Sequence, residues 1–262
     1  MSDNIKTVAA NTQLLQSAAL MGNITEVQRL IPLSAPKASN SFALYAAADQ
    51  GFADCVNALI PVSQPGANDF RALRIAAKRG HVECVRLLTC KVGRAPLERA
   101  LRLAAEEGYV DCIDVLLAAR RTVEGTEALY YAAWAGHVEC VRRLIPRSDP
   151  AADDSGALIA AAQKGHAECV RELLRVSDPK AQNNLALQHA AFNDHCDCVD
   201  LLFDDSEPQL VLDILRQLNP KFYAQSAGVL YLEQKLESQR LHGVLTAHTG
   251  AIPGQSVATR KM

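Results

Sequence analysis

The cysteines and histidines are the side chains of this chain that could hold a metal ion or act as nucleophiles. Six of the eight cysteines recur at regular intervals: Cys55, Cys84, Cys112, Cys140, Cys169 and Cys198. If these residues lie on successive stacked helices, they are about 8–10 Å apart, whereas a disulfide needs Cα atoms within about 7 Å. We therefore predict that this set, the cysteine ladder, is unbridged and fills space as small buried side chains.

A zinc site is the sharper alternative, because four potential ligands lie within ten residues of each other: His189, His195, Cys196 and Cys198. Two positions along a helix turn a side chain by about 200° around the axis. Cys196 and Cys198 therefore cannot both reach one tetrahedral ion unless the helix is broken. We predict no metal ion and no cofactor.

No arrangement typical of an enzyme is visible in the linear sequence. His81, His137, His166 and His195 stand at equivalent positions, each directly after a Gly or Asp that recurs along the chain. There is no Ser-His-Asp or Cys-His constellation, no glycine-rich phosphate loop and no His-Glu-x-x-His. We therefore predict no catalytic residues.

These residues are positioned by a repeat. The recurring Gly and its last substitute are spaced by 28 or 29 residues, at Gly22, Gly51, Gly80, Gly108, Gly136, Gly165 and Asp194. A fixed period in this range is the signature of a solenoid. An Ala-rich helix precedes each Gly, which can end a helix in the left-handed conformation. A second helix follows, with apolar residues three apart on one face, such as Val141 and Leu144.

One unit reads Ala128-Leu129-Tyr130-Tyr131-Ala132-Ala133-Trp134-Ala135-Gly136-His137, and its copies are followed by an apolar helix and an Asp-Pro turn. This pattern resembles the ankyrin repeat in seven copies, over about residues 12–204. The usual unit has 33 residues, and the piece missing here falls where that family carries a β-hairpin finger. We therefore expect tight loops. The resemblance also implies a structural role for the four histidines, which would tie adjacent turns together by hydrogen bonds. The shortened units also resemble those of bacterial or protist arrays.

The expected fold is an all-α, ankyrin-like helical solenoid of about seven short repeats with C-terminal capping helices. We expect a lead-in over residues 1–11, the array over 12–204, a degenerate helix pair as a cap over 205–246, and a disordered tail over 247–262. The cap helices are predicted at 208–218 and 227–245. Their candidate apolar positions are Leu210, Leu212, Ile214, Leu218, Leu230, Leu236 and Leu241.

Composition restricts the function classes. With 49% hydrophobic residues the chain can bury a core. The formal net charge is only −2, so the overall charge does not indicate a nucleic-acid-binding protein. No run of eighteen apolar residues exists, and the N-terminus lacks a charged start followed by an apolar core. We expect a cytoplasmic monomer, and export by a route that needs no signal peptide remains open.

The residues just before each Gly vary most between units. The resemblance implies that this part of the first helix lines a concave partner-binding surface. Trp134 and Tyr130, four residues apart on one helical face, would form its anchor; the alternative is that both rings pack against the neighbouring unit. Phe192, Tyr45, Arg71, Arg74, Lys78 and Arg102 are the flanking candidates. The basic residues would suit an acidic segment unless nearby Glu106 and Glu107 neutralise them.

The resemblance therefore implies a non-catalytic scaffold that binds another protein through the first helices of its repeats. Two alternatives remain. One is a secreted or host-directed effector in which residues 205–262 carry the activity or the targeting address. The other is an enzyme with a site at the junction of array and cap, using His242 or His189.

Overall fold

A computed structural model describes residues 2–90, 92–120, 122–218 and 223–249. These residues form sixteen α-helices and no strand. The first helices of the seven units are α1 (Ser2–Leu20), α3 (Ala38–Gln50), α5 (Ala67–Lys78), α7 (Arg94–Glu107), α9 (Thr126–Ala135), α11 (Ala152–Lys164) and α13 (Ala181–Phe192). The second helices are α2 (Ile24–Leu30), α4 (Ala53–Leu59), α6 (Val82–Leu88), α8 (Val110–Ala119), α10 (Val138–Leu144), α12 (Ala167–Leu173) and α14 (Cys196–Leu202).

The fourteen helices form two layers that run along the stack. Each first helix packs against its own second helix and against the first helix of the next unit, and the second helices contact one another in the same order. The buried residues form one continuous core from Leu15 to Leu236. The predicted all-α solenoid is confirmed.

Paired alanines allow the first helices to approach each other closely. The pairs in the last six units are completely buried: Ala47 and Ala48, Ala76 and Ala77, Ala104 and Ala105, Ala132 and Ala133, Ala161 and Ala162, Ala190 and Ala191. A larger side chain at these positions would overpack the core and force the units apart. The small residues therefore set the spacing of the stack.

The connections between units are short. Three second helices continue into single 3₁₀ turns, Ile31–Leu33, Ile60–Val62 and Ile145–Arg147, each of which holds a Pro. Only four residues then separate each turn from the next first helix, for example 148–151. The expected tight loops are confirmed, since the described part of the chain has no β-hairpin.

In four first helices the second to fourth residues are in the left-handed conformation, a feature that the repeat pattern does not predict. The segments are 39–41, 68–70, 153–155 and 182–184, with φ between 49° and 66°. Left-handed helical geometry costs an L-residue roughly 1–2 kcal/mol, and Asn and Asp adopt it most readily after Gly. Most of the twelve residues are accordingly Asn, Asp or Ser.

The third residue of three of these segments connects one unit to the next. Ser41, Ser155 and Asn184 are buried. Their side-chain oxygens accept hydrogen bonds of 2.8–2.9 Å from the backbone N–H of the residue 23 positions later, which precedes a Pro. Each bond satisfies a backbone donor and a buried polar side chain together, which helps to offset the left-handed geometry.

The cysteine ladder lies in the core, as predicted. Its six side chains are 0–1% exposed, and all eight cysteines of the chain are free thiols. Burial raises the pKa of Cys140 to about 11 and that of Cys198 to about 12. The negative charge of the acidic residue next to each cysteine contributes a smaller part of the increase. Both therefore remain neutral thiols at physiological pH.

The C-terminal cap consists of α15 (Pro208–Leu218) and α16 (Ala227–Thr249). The carboxylate of Asp194, which replaces the recurring Gly, accepts hydrogen bonds from Gly228 N at 2.7 Å and Ser226 Oγ at 2.8 Å. These two hydrogen bonds, of which the one from Gly228 has the larger effect, hold the pKa of Asp194 below its ordinary value. Asp194 therefore fixes the start of α16 against the last unit.

Several apolar positions predicted for the cap were wrong. Leu212 and Leu236 are buried, but Leu210, Leu230 and Leu241 are exposed. Together with Leu212 and Leu236, the buried side chains lie three or four residues apart along each helix: Val211, Leu215, Val229 and Leu232. The prediction favoured leucines by type, whereas packing depends on helical phase. Ile214 is half-buried; the side chain of Leu218 lies outside the described residues.

The structure also bears on the predicted boundaries. The segment 1–11, expected as a lead-in, belongs to α1 from Ser2 onward. The second cap helix extends to Thr249. Of the tail predicted for 247–262, only 247–249 lie within the described residues.

Substitution of Cys140 by Asp tests the packing of the ladder. We expect a loss of stability on the order of 3 kcal/mol or more, because the change buries an unpaired charge. Thermal or urea unfolding followed by circular dichroism measures it. The matched control is Cys90→Asp at an exposed thiol, which should change stability little. A Cys140→Asp protein that melts within about one degree of the wild type would contradict the buried position.

Substitution of Asp194 by Ala tests the attachment of the cap. Loss of the carboxylate leaves the first amides of α16 without their acceptor, so we expect faster hydrogen exchange in 227–240 and little change in α3 to α9. Asp197→Ala, at an exposed acid on the neighbouring helix, is the control. Equal protection of α16 in all three proteins would mean that Asp194 does not hold the cap.

Candidate functional site

The residues that vary between units lie on one side of the array. They belong to the first helices, just before the turn that leads to the second helix. We call this surface, contributed by α3, α5, α7, α9, α11 and α13, the first-helix face. The structure distributes the eight predicted binding residues over three places on it.

Histidines from the following unit hold the ends of the first helices in place. His166 Nε2 donates a hydrogen bond of 3.1 Å to the carbonyl oxygen of Trp134, and His81, His137 and His195 make the same contact with the preceding unit at 2.9–3.2 Å. The His166 ring lies against Gly136, where φ is 83° and a Cβ atom would be 2.6 Å from the ring. The structural role predicted for these histidines is confirmed.

Trp134 and Tyr130 lie on α9 in the middle of the first-helix face. Each side chain is 40% exposed, so neither alternative from the sequence holds completely: the rings are partly packed and partly open to solvent. The ammonium group of Lys164 lies 4.7 Å from the Trp134 ring, and Tyr131 meets Tyr130 edge to face at 5.4 Å. The neighbouring contacts therefore hold both rings in defined positions.

The second place is a cleft between α3, α5 and α7 that we call the basic cleft. It measures about 340 Å³, and the residues with polar groups that line it are Tyr45, Arg71, Arg74, Lys78, Arg99 and Arg102. The guanidinium of Arg71 stacks 3.8 Å above the Tyr45 ring. The structure thus brings together five of the predicted residues. Arg99 was missed, although it stands 28 positions after Arg71, as Arg102 does after Arg74.

Carboxylates around the rim neutralise most of the basic cleft. Arg74 and Arg99 both pair with Asp69, and Lys78 lies 3.7 Å from Glu107. Arg102 pairs with Glu106 at 3.9 Å and Glu127 at 3.5 Å. Such solvent-exposed pairs contribute little to stability. Among the described residues, Arg71 alone of the five cations has no carboxylate partner.

An acidic pocket that the sequence analysis missed adjoins the basic cleft on the other side of α7. It measures about 480 Å³ and includes Glu98, Glu124, Glu127, Asp153, Tyr130 and Tyr131. Arg94 pairs with Glu98 at 2.6 Å and Glu124 at 2.7 Å. These acids come from three units and no local motif joins them, so only the repeat register could have brought them together.

Phe192 lies apart, in a smaller cleft of about 300 Å³ near the cap. Its walls include Leu185, Gln188, His189 and Leu215, and the Phe192 ring is 41% exposed. Burial lowers the pKa of His189 below its ordinary value of 6.5, which favours the neutral imidazole. His242 lines a different cleft, with Asp200 and Tyr231. The two histidines proposed for an enzyme site therefore do not share a cavity.

The candidate zinc ligands are separated as well. Cys198 is buried in the ladder, Cys196 is partly exposed, and His195 is bonded to the Gln163 carbonyl oxygen. No group of three or more His, Cys, Asp or Glu side chains in the described part of the chain could hold a metal ion. Nor does any described helix combine the length and apolar character needed to cross a membrane.

Comparisons with known proteins agree with this geometry. The chain matches a family model described as ankyrin repeats in three copies, over residues 14–96, 94–154 and 147–211. It is similar to the ankyrin repeat domain of human ASB11, with a TM-score of 0.60 and 22% identity over 73% of this chain and 96% of that chain. It is also similar to the ankyrin repeat domain of Bcl-3, a member of the IkappaB protein family, with a TM-score of 0.56 and 21% identity over 78% and 97%. No curated protein matches the chain.

The histidine contacts predict a pH-dependent stability. Burial, helped by the neighbouring His137, His195 and Lys164, lowers the pKa of His166 below its ordinary value of 6.5. The unfolded chain therefore binds a proton at this histidine more readily than the folded chain does. The contribution of neutral His166 to the free energy of unfolding is fully present above pH 6.5, and it is lost as the pH falls through 6.5 towards the folded-state pKa. The pKa of His189 is lowered in the same direction.

We therefore expect the urea midpoint to decrease between pH 7.5 and 5.5, a window chosen around that ordinary pKa. His166→Gln, which retains a hydrogen-bond donor without titrating, should make the decrease shallower. A midpoint that stays constant or rises as the solution is acidified would contradict the assignment.

Proposed function

The chain belongs to the ankyrin repeat family, and from this we propose that it is a non-catalytic scaffold that binds another protein through its first-helix face. The observation that carries the proposal is the position of Tyr130 and Trp134. Both rings are 40% exposed on α9. Tyr130 also lines the acidic pocket, which adjoins the basic cleft.

Large aromatic side chains that are partly exposed and held by their neighbours are effective anchors for a partner. Trp and Tyr are enriched among the residues that contribute most to binding, especially near the centre of an interface. Lys164 and Tyr131 restrict the two rings before any partner arrives. Less side-chain freedom is then lost on association, which favours binding.

The remaining predicted residues fit the same proposal as flanking contacts. Tyr45, Arg71, Arg74, Lys78 and Arg102 offer a polar and charged area on one side of the anchor, and Phe192 offers an apolar one on the other. The surface is supported by a continuous core, so its parts keep fixed relative positions. We propose that residues 12–204 form the binding array and that 205–246 serve as its cap.

We propose that the protein acts as a cytoplasmic monomer without cofactor or catalytic residues. Its partner is a protein rather than a nucleic acid. The formal net charge of −2 and the rim carboxylates around the basic cleft support this choice, because a polyanion would be repelled beyond the cleft. The fixed surface makes binding, rather than group transfer, the activity that this array supports.

The substitution Trp134→Ala tests the anchor. We expect it to weaken a partner captured by the wild-type protein by at least about 2 kcal/mol, or about 30-fold in Kd. Affinity capture with quantitative mass spectrometry identifies the partner, and titration of that partner gives the Kd. The matched control is Val176→Ala, an exposed apolar residue after the second helix α12.

The result counts only if circular dichroism shows the same thermal midpoint for both variants and the wild type. Equal affinity of Trp134→Ala and Val176→Ala for the captured partner would remove the proposed anchor.

A further inference from the structure

The basic cleft keeps one cation that the chain itself does not neutralise. Arg71 has no carboxylate partner among the described residues, and its guanidinium lies on the face of Tyr45 at 3.8 Å. Stacking on an aromatic ring leaves the in-plane N–H donors of a guanidinium open. Those donors match the two oxygens of a carboxylate in geometry. Arg71 is therefore positioned to bind an acidic side chain from outside.

A second arginine of the cleft, Arg74, is only weakly paired. Arg74 makes one long contact of 3.3 Å with Asp69, and its buried Nε–H has no acceptor. Because Nε is buried, a segment from outside would contact the exposed part of this side chain, which is 36% exposed. Arg71 and Arg74 are one helical turn apart on α5, so a short acidic segment can meet both.

The acidic pocket limits how far an acidic segment can extend. Glu98 and Arg99 are consecutive on α7, yet Glu98 lines the acidic pocket and Arg99 the basic cleft. Arg102 of the basic cleft pairs across the boundary with Glu127 of the pocket. Asp153 has no cationic partner among the described residues. The charge of the surface therefore changes from positive to negative at α7.

We propose that the partner carries an acidic peptide segment that binds in the basic cleft, with an Asp or Glu on Arg71, and that neutral or basic residues follow where the segment passes α7. This inference rests on the proposed function and specifies the chemistry of the partner. In this alignment the acidic residues of the segment lie against the arginines, and any basic residues lie against the acidic pocket. A segment placed the other way round would bring like charges together.

A nucleic acid fits this surface poorly. Its phosphates form a continuous row of negative charge, and the row would meet Glu98, Glu127 and Asp153 immediately beyond the cleft. A peptide can change its charge within a few residues. The change of sign at α7 thus favours a peptide of mixed charge.

Two fluorescein-labelled peptides of about twelve residues and equal composition test the proposal. In the block peptide all Asp residues precede all Lys residues, and in the interleaved peptide they alternate. Fluorescence anisotropy at low salt with the full chain should show tighter binding of the block peptide, because only that peptide places both charges opposite their complements. Arg71→Gln should weaken block-peptide binding about five- to tenfold, and Arg71→Lys less.

The matched control is Arg86→Gln on the second helix α6, where Arg86 is exposed and pairs with Glu83; it should leave the affinity unchanged. Equal binding of the two peptides, an unaffected Arg71→Gln variant, or tighter Arg71-dependent binding of a single-stranded DNA oligomer would overturn the inference. If one of these outcomes occurred while the affinity for a captured protein still decreased in Trp134→Ala, the proposed function would stand. Only the proposal of an acidic segment in the basic cleft would then be lost.

Discussion

Everything in this molecule depends on the inability of one helix pair to bury its own apolar surface. A seven-residue second helix with three buried side chains, such as Cys140, Val141 and Leu144, is too short to be stable alone. It becomes stable because the units before and after it cover both sides. The paired alanines set the distance between units, while the histidine and Ser or Asn contacts fix the register with hydrogen bonds. The result is a regular support on which other positions are free to vary.

That separation between support and surface also explains what the sequence could predict. The recurring Gly and the cysteine ladder follow from periodicity and from residue types whose packing role is the same from one unit to the next. The resemblance to a known repeat added the role of the histidines. These features were predictable because each is repeated, so that the same local argument applies several times.

Features that are not repeated were harder to predict. The left-handed segments at Asn68–Phe70 and Gln182–Asn184 have no common residue at any position, and only the second ends in a polar side chain that bonds a neighbouring unit. The acidic pocket combines side chains from three units, so no short window contains it. In the cap, Leu230 and Val229 are adjacent in sequence and opposite in burial. Helical phase in that region is set by the contact of Asp194 with Gly228, which a single sequence does not reveal.

The closure at Asp194 has a consequence for assembly. In the interior of the array each unit offers the next one the same apolar side, and a stack that ended there would offer that side to any copy of the chain. Head-to-tail contacts of this kind give rings when the rotation between copies closes and open fibres when it does not. The helix α16 occupies this position against α13 and α14. Its packing on the last unit, together with its bonds to Asp194 and Asp200, thus acts as a lid over the apolar side on which a further unit would stack.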